Sequence, residues 1–138
     1  MKRLFLDSAF SIALAAPNDQ YHAQAVSLAE HIESEDMQLI TTRAVVLEIG
    51  NALAKQRYRQ AAIALLEALE ADPRVEIVPV SEQLCRRGFQ LYHNRDDKGW
   101  GLTDCVSFVV MQEQGLTEAL TPDEHFQQAG FRALLRES

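Results

Sequence analysis

Residues 1–16 read MKRLFLDSAFSIALAA, and the meaning of this stretch decides the fold. Lys2 and Arg3 precede an apolar run that ends in Ala, Leu and Ala. That is the outline of a secretory leader with a small-residue cleavage site. Asp7 breaks the outline. An ionised carboxylate is a poor fit to the centre of a leader's apolar segment, and removing a leader would also delete LFLD. The better reading is a short buried strand, KRLFLD, closed by a polar residue. The chain is therefore expected to be cytoplasmic, with its first strand almost at the N-terminus.

Composition fits that reading. The 138 residues are 47% hydrophobic and 24% charged, which suits one globular domain over residues 1–138. No apolar run approaches the roughly 18 to 20 residues that span a bilayer, so no membrane association is expected. Cys85 and Cys105 lie in apolar helical patterns and read as two buried, reduced thiols. The formal net charge is −7. This excludes a nonspecific nucleic-acid binder, which would be basic. It does not exclude an enzyme acting on nucleic acid, because cations bound at a carboxylate cluster offset part of the charge.

Downstream of Asp7, Ser8 can cap a helix through AFSIALAA, broken by Pro17 and Asn18. A second helix is expected to open at Asp19 and carry Ala25, Leu28, Ala29 and Ile32 on its apolar face. MQLIT is the second strand. Thr42 can cap RAVVLEIGNALAK, and QAAIALLEALEA is the clearest helix, ended by Pro73. RVEIVPV is a third strand whose proline suits an end or an edge. Ser81 caps SEQLCRRGFQLYHNR, DDKGWG is a loop, and Thr103 is expected to cap DCVSFVVMQEQG, which closes at Gly115. TEALTPD is a fourth strand and turn, and HFQQAGF a last helical turn. Short apolar strands alternating with helices predict an α/β domain with a mainly parallel sheet covered on both faces. In such sheets ligands bind at the carboxyl ends of the strands.

Four carboxylates fall at such ends. Asp7 closes the first strand, and Asp123 follows the fourth. Glu48 lies in the helix after the second strand, and Asp104 opens the helix after the DDKGWG loop. Each has an ordinary reading: a cap for Asp7, a first-turn acid for Asp104, a turn residue for Asp123. Glu48, between Leu47 and Ile49, reads as partly buried and in need of a partner. Gathered at one edge, four acids would repel one another and destabilise the fold without cations. The hard ions Mg²⁺ and Mn²⁺ match such oxygen ligands. His22, His31, His93 and His125 show no zinc-site spacing. His125 is the exception among them, two residues after Asp123, one of the four acids.

Four stretches, LFLDSAF, VVLEIGNALA, GLTDCVSFVVM and ALTPDEHFQQAGF, give the chain a resemblance to PIN domains, specifically the toxin ribonucleases of VapBC-type toxin–antitoxin pairs. The resemblance runs over essentially the whole chain and implies a three-layer α/β fold with a central, mainly parallel sheet of about four to five strands flanked by helices. It implies that Asp7, Glu48, Asp104 and Asp123 bind one or two Mg²⁺ or Mn²⁺ ions. Ser8 and Thr103 match the hydroxyl residues beside the first and third acids, and Asp97 an additional acid before the third. Gly101 stands where many relatives have Ser.

The activity so implied is hydrolysis of RNA phosphodiesters to 5′-phosphate and 3′-hydroxyl ends. Asp7, Asp104 and Asp123 would hold the ions, and Glu48 would complete the shell or orient water. Ser8 and Ser107 lack an obvious base, so no side-chain nucleophile is expected. Lys55, Arg57, Arg59, Arg95 and Lys98 are candidate RNA contacts, with Tyr58 and Trp100 placed to stack on bases. The family resemblance also implies a homodimer and a basic antitoxin partner, which an acidic chain would suit.

Other readings remain at this level. A haloacid-dehalogenase phosphatase needs an Asp where Ala9 stands, and a response-regulator receiver needs an acidic pair near the first strand. A PIN-fold binding module without turnover, or a stand-alone RNA-processing nuclease, would keep all four acids.

Overall fold

In a computed structural model that describes residues 2–137, the stretch LFL lies at the centre of the molecule. Strand β1 (Arg3–Leu6) is flanked by β2 (Gln38–Thr42) on one side and β4 (Glu118–Leu120) on the other. Beyond them lie β3 (Val75–Val78) and β5 (Arg132–Ala133), giving the order β3-β2-β1-β4-β5 with every pairing parallel. A central parallel strand is covered on both faces, which is why its apolar residues run without alternation. Leu4, Phe5 and Leu6 are each at most 2% exposed.

The helices are α1 (Ser8–Ala15), α2 (His22–Ser34), α3 (Arg43–Ala52), α4 (Gln56–Ala71), α5 (Glu82–Asn94), α6 (Leu102–Glu113) and α7 (Glu124–Gln128). Right-handed crossovers β1→β2→β3 put α1 to α4 on one face. The return from β3 across to β4 and on to β5 puts α5 to α7 on the other. The contacts agree: α1 packs on α2, α3 and α4, while α6 packs on α5 and α7. The result is the expected three-layer sandwich. The direction of travel reverses between β1 and β4, and a crevice opens there at the carboxyl ends of the strands.

Local chemistry explains the boundaries. Thr42 Oγ1 accepts the Val45 N–H (3.2 Å) and Ser81 Oγ the Leu84 N–H (3.1 Å), the two caps read from sequence. Pro79 follows edge strand β3, where a missing donor costs no ladder bond. α5 and α6 interlock at Gly88, where a Cβ would lie 2.6 Å from Val106 Cγ2. Phe108 of α6 meets Phe126 of α7 edge to face, with ring centroids 4.9 Å apart.

Several expectations are corrected. The second helix starts at His22, because Asp19 Oδ1 takes the Tyr21 N–H (2.8 Å) and makes a turn instead. α6 starts at Leu102 with Gly101 in the cap position, so Thr103 lies inside the first turn and does not cap. Ser8 likewise begins α1 without capping it, and Asp7 holds the cap position with its carboxylate turned elsewhere. α4 begins four residues early and takes in Arg57, Tyr58 and Arg59. The C-terminal segment adds the two-residue strand β5, reached from α7 through Gly130 at φ +98°. Cys105 is buried as expected, but Cys85 is exposed, because α5 turns Leu84 and Gly88 inward.

Candidate metal centre

Asp7 is placed by β1 and is only 5% exposed. Its Oδ2 accepts the Thr121 hydroxyl at 2.8 Å. Burial pushes its carboxyl up to about 7, the Thr121 hydroxyl and the Ser8 backbone N–H oppose this, and the charges of Asp104 and Glu48 add to the rise. A buried carboxylate with so few donors is costly unless a positive group completes it. Thr121, fully buried just past β4, joins two acids: its Oγ1 also accepts the Asp123 N–H at 3.1 Å. Sequence reasoning assigned Thr121 no role. The signal available was its spacing in T-x-D, one residue from the acid it orients.

Glu48 is half-buried on α3. Its Oε1 accepts the Ser8 hydroxyl at 2.6 Å, across the gap between α1 and α3. The hydroxyl beside the first acid thus fixes the second.

Asp104, Asp123 and His125 form the tightest group. One ligand atom from each lies within 4.8 Å of the others. Asp104 Oδ2 accepts the Gly101 N–H (3.1 Å) and faces His125 Nδ1 (3.1 Å). Because that oxygen is an acceptor, Nδ1 is the nitrogen that carries the proton. Asp123 Oδ1 accepts the His125 N–H (2.9 Å) and lies 3.5 Å from Nδ1. The imidazole N–H thus presents a positive edge between two carboxylates. His125 joins the cluster through the geometry of α7, which its spacing alone did not reveal.

The other sequence candidates lie apart. Asp97 pairs with Arg95 (Oδ1–Nε 3.0 Å, Oδ2–Nη2 3.3 Å), which holds its carboxyl below the usual range. Among the described residues no hydrogen bond or ion pair joins Asp97 to the four acids. Trp100 is 5% exposed, donates its indole N–H to Gln128 Oε1 (3.0 Å) and carries the Arg95 guanidinium over its ring. It offers no face to a base, so the stacking expected of it is withdrawn. Arg59 is committed to the Ala54 carbonyl (2.6 Å), capping the end of α3. Arg57 lies over the Tyr58 ring (4.6 Å). Lys55 is exposed and Lys98 half-buried.

The donor set suits a hard divalent cation. It consists of carboxylate oxygens, which Mg²⁺ and Mn²⁺ prefer, with the His125 N–H turned to Asp104. The one nearby thiol does not compete, because burial and the Asp104 charge push Cys105 up and keep it protonated.

A parallel α/β sandwich with an acidic cluster at its switch point defines a class of domain built to hold divalent cations. The family is shown by sequence: the PIN domain matches residues 4–132, and the chain belongs to that family. The 23S rRNA-specific endonuclease VapC20 of Mycobacterium tuberculosis is 27% identical over 128 residues, which cover 93% of this chain and 95% of that protein. The crystal structure of that protein, described as a Sarcin-Ricin loop cleaving toxin, matches with TM-score 0.81 at 24% identity, over 93% of this chain and 95% of its own. VapBC2 from Rickettsia felis, bound to a DNA fragment from its promoter, matches with TM-score 0.68 at 13% identity, over 95% and 96%. The last two show likeness of fold.

Proposed function

We propose that this chain is a Mg²⁺- or Mn²⁺-dependent endoribonuclease, the toxin of a toxin–antitoxin pair. The observation that carries the reading is the convergence of Asp104, Asp123 and His125 within 4.8 Å of one another, beside the buried Asp7. VapC20 supports RNA as the substrate class, and its 23S rRNA is the first substrate to try.

One or two ions, held by Asp7, Asp104 and Asp123, would supply a water of lowered pKa and neutralise charge on the scissile phosphate. Glu48 keeps Oε1 on the Ser8 hydroxyl, which leaves Oε2 to orient the attacking water. Thr121 fixes Asp7 and the Asp123 backbone together, so the two acids keep one spacing as the substrate enters. His125 holds Asp104 in place through Nδ1–H. The water oxygen bonds to phosphorus, the bond to the 3′ oxygen breaks, and that oxygen takes a proton. Lys55 and Arg57 at the start of α4, with Lys98 in the loop before α6, supply phosphate contacts. Thr103, in the first turn of α6, supports Asp104 from the same turn.

The partner in this reading is a basic antitoxin, matched to a chain of net charge −7. A homodimer belongs to it as well, with the outer face of α4 around Ile63, 41% exposed, as the surface offered. No helix among the described residues is long and apolar enough to cross a membrane, and the compartment proposed is the cytoplasm.

The test is cleavage of structured RNAs, 23S fragments included, by the purified chain with Mg²⁺, with Mn²⁺ or with chelator, beside Asp104→Asn. Cutting that needs the metal and is lost in the variant is the expected result. Cutting that survives both chelator and substitution would overturn the reading.

A further inference from the structure

Two separately held pieces of chain carry the tight group of the site. Asp104 sits on the first turn of α6, and Asp123 and His125 on the first turn of α7, a helix of five residues. Asp123 is tied to its own helix by the His125 N–H, so its cap does not fix α7 against α6. The Phe108–Phe126 contact is apolar and sets no direction. One directional bond, from His125 Nδ1–H to Asp104 Oδ2 (3.1 Å), crosses inside the site; a second crosses beside it, from Trp100 Nε1–H to Gln128 Oε1 at 3.0 Å.

The ends of this second bond are well placed. Trp100 immediately precedes Gly101, whose N–H anchors Asp104 Oδ2. Gln128 lies at the end of α7, three residues past His125. The indole is itself held on both sides. Its ring meets Phe108 edge to face (5.0 Å), and the Arg95 guanidinium covers it at 5.0 Å from the centroid. Arg95 is in turn gripped by both oxygens of Asp97.

We propose that Asp97, Arg95, Trp100 and Gln128 form a strap that sets the separation between Asp104 and the Asp123–His125 pair, and so tunes the affinity of the centre for its cation. They are positioning residues. Asp97 acts from a distance as the anchor of Arg95 and does not itself touch the ion. The proposal rests on the metal-centre reading above.

The test uses the full chain and two readouts. The chain has one tryptophan, so its indole N–H is a single NMR resonance whose exchange with water can be followed in chelator. Calorimetry gives the Mn²⁺ affinity. Gln128→Leu removes the acceptor and Trp100→Phe the donor, while Gln128→Glu keeps an acceptor. The expected result is faster indole exchange in Gln128→Leu and about tenfold weaker Mn²⁺ binding in Gln128→Leu and Trp100→Phe, the usual scale for a residue supporting a ligand. Gln128→Glu should restore both readouts, and the double variant should be no weaker than either single, since one bond is lost in all. Wild-type Mn²⁺ affinity in Gln128→Leu, with its indole proton freed, overturns the strap and leaves the metal centre standing. A wild-type chain that binds no Mn²⁺ overturns both.

Discussion

Asp7 is the residue whose burial weighs most on stability and, in the proposed function, on chemistry. Its carboxyl titrates at about 7 in the fold, against about 3.9 in an unfolded chain. The unfolded state loses this proton first, so metal-free stability falls as pH rises from about 4 to about 7, and the full penalty persists above that. Asp7→Asn removes it. The variant is expected to melt higher than wild type in chelator at pH 8, by up to on the order of 4 kcal/mol in unfolding free energy, and to lose the advantage near pH 4. Equal melting at pH 8 would mean that the carboxylate is better partnered than its geometry shows. Ser8→Ala removes the donor to Glu48. It should cost about 1–2 kcal/mol in a urea melt and slow RNA cleavage, because Glu48 is no longer held. At this scale the sequence pointed to four candidate acids, and the need of Glu48 for a partner was legible in its apolar surroundings. It did not reveal the partner, because Ser8 and Glu48 meet only when α1 and α3 pack. Thr121 escaped for the same reason, and His125 stood out only for its nearness to Asp123, its contact with Asp104 being set by the packing of α7 against α6.

The elements were legible wherever one short-range force dominated. Thr42 and Ser81 cap as read, since each hydroxyl had a backbone N–H three residues on and no rival. Thr103 had a rival: Asp104 reaches back to the Gly101 N–H and moves the start of α6 by two residues. β5, two residues long, is too short for any alternation to show and exists through its pairing with β4. The clearest element-level prediction concerns Gly88, where α5 and α6 touch. Gly88→Ala forces Val106 aside and should lower stability by about 1–3 kcal/mol, read by urea denaturation. The Val106 backbone N and Cα also lie 3.3 Å from that Cβ, two residues from Asp104, so Mn²⁺ affinity is the second readout. A loss of affinity would show that the α5–α6 packing governs the site as well.

At the scale of the molecule, a chain of net charge −7 keeps several acids together at one crevice, so cation and fold are linked. Mn²⁺ at about a hundred times its dissociation constant should add about 2.7 kcal/mol to the unfolding free energy. The midpoint shift should be larger at pH 8 than at pH 5, because Asp7 must release its proton to bind. Thermal melts with and without the ion check both. The alternation of strands and helices predicted a parallel sheet, but the meeting of residues so far apart along the chain came only from resemblance, since no spacing rule fixes a strand order. That order has a consequence for synthesis. β1 takes β2 as its first neighbour, while the register on its other side joins Phe5 to Ala119. Translation therefore supplies one edge of the first strand early and the other only when most of the chain exists. Until then Asp7 has neither Thr121 nor Asp123 beside it. The acid cluster is therefore complete only when most of the chain has been made.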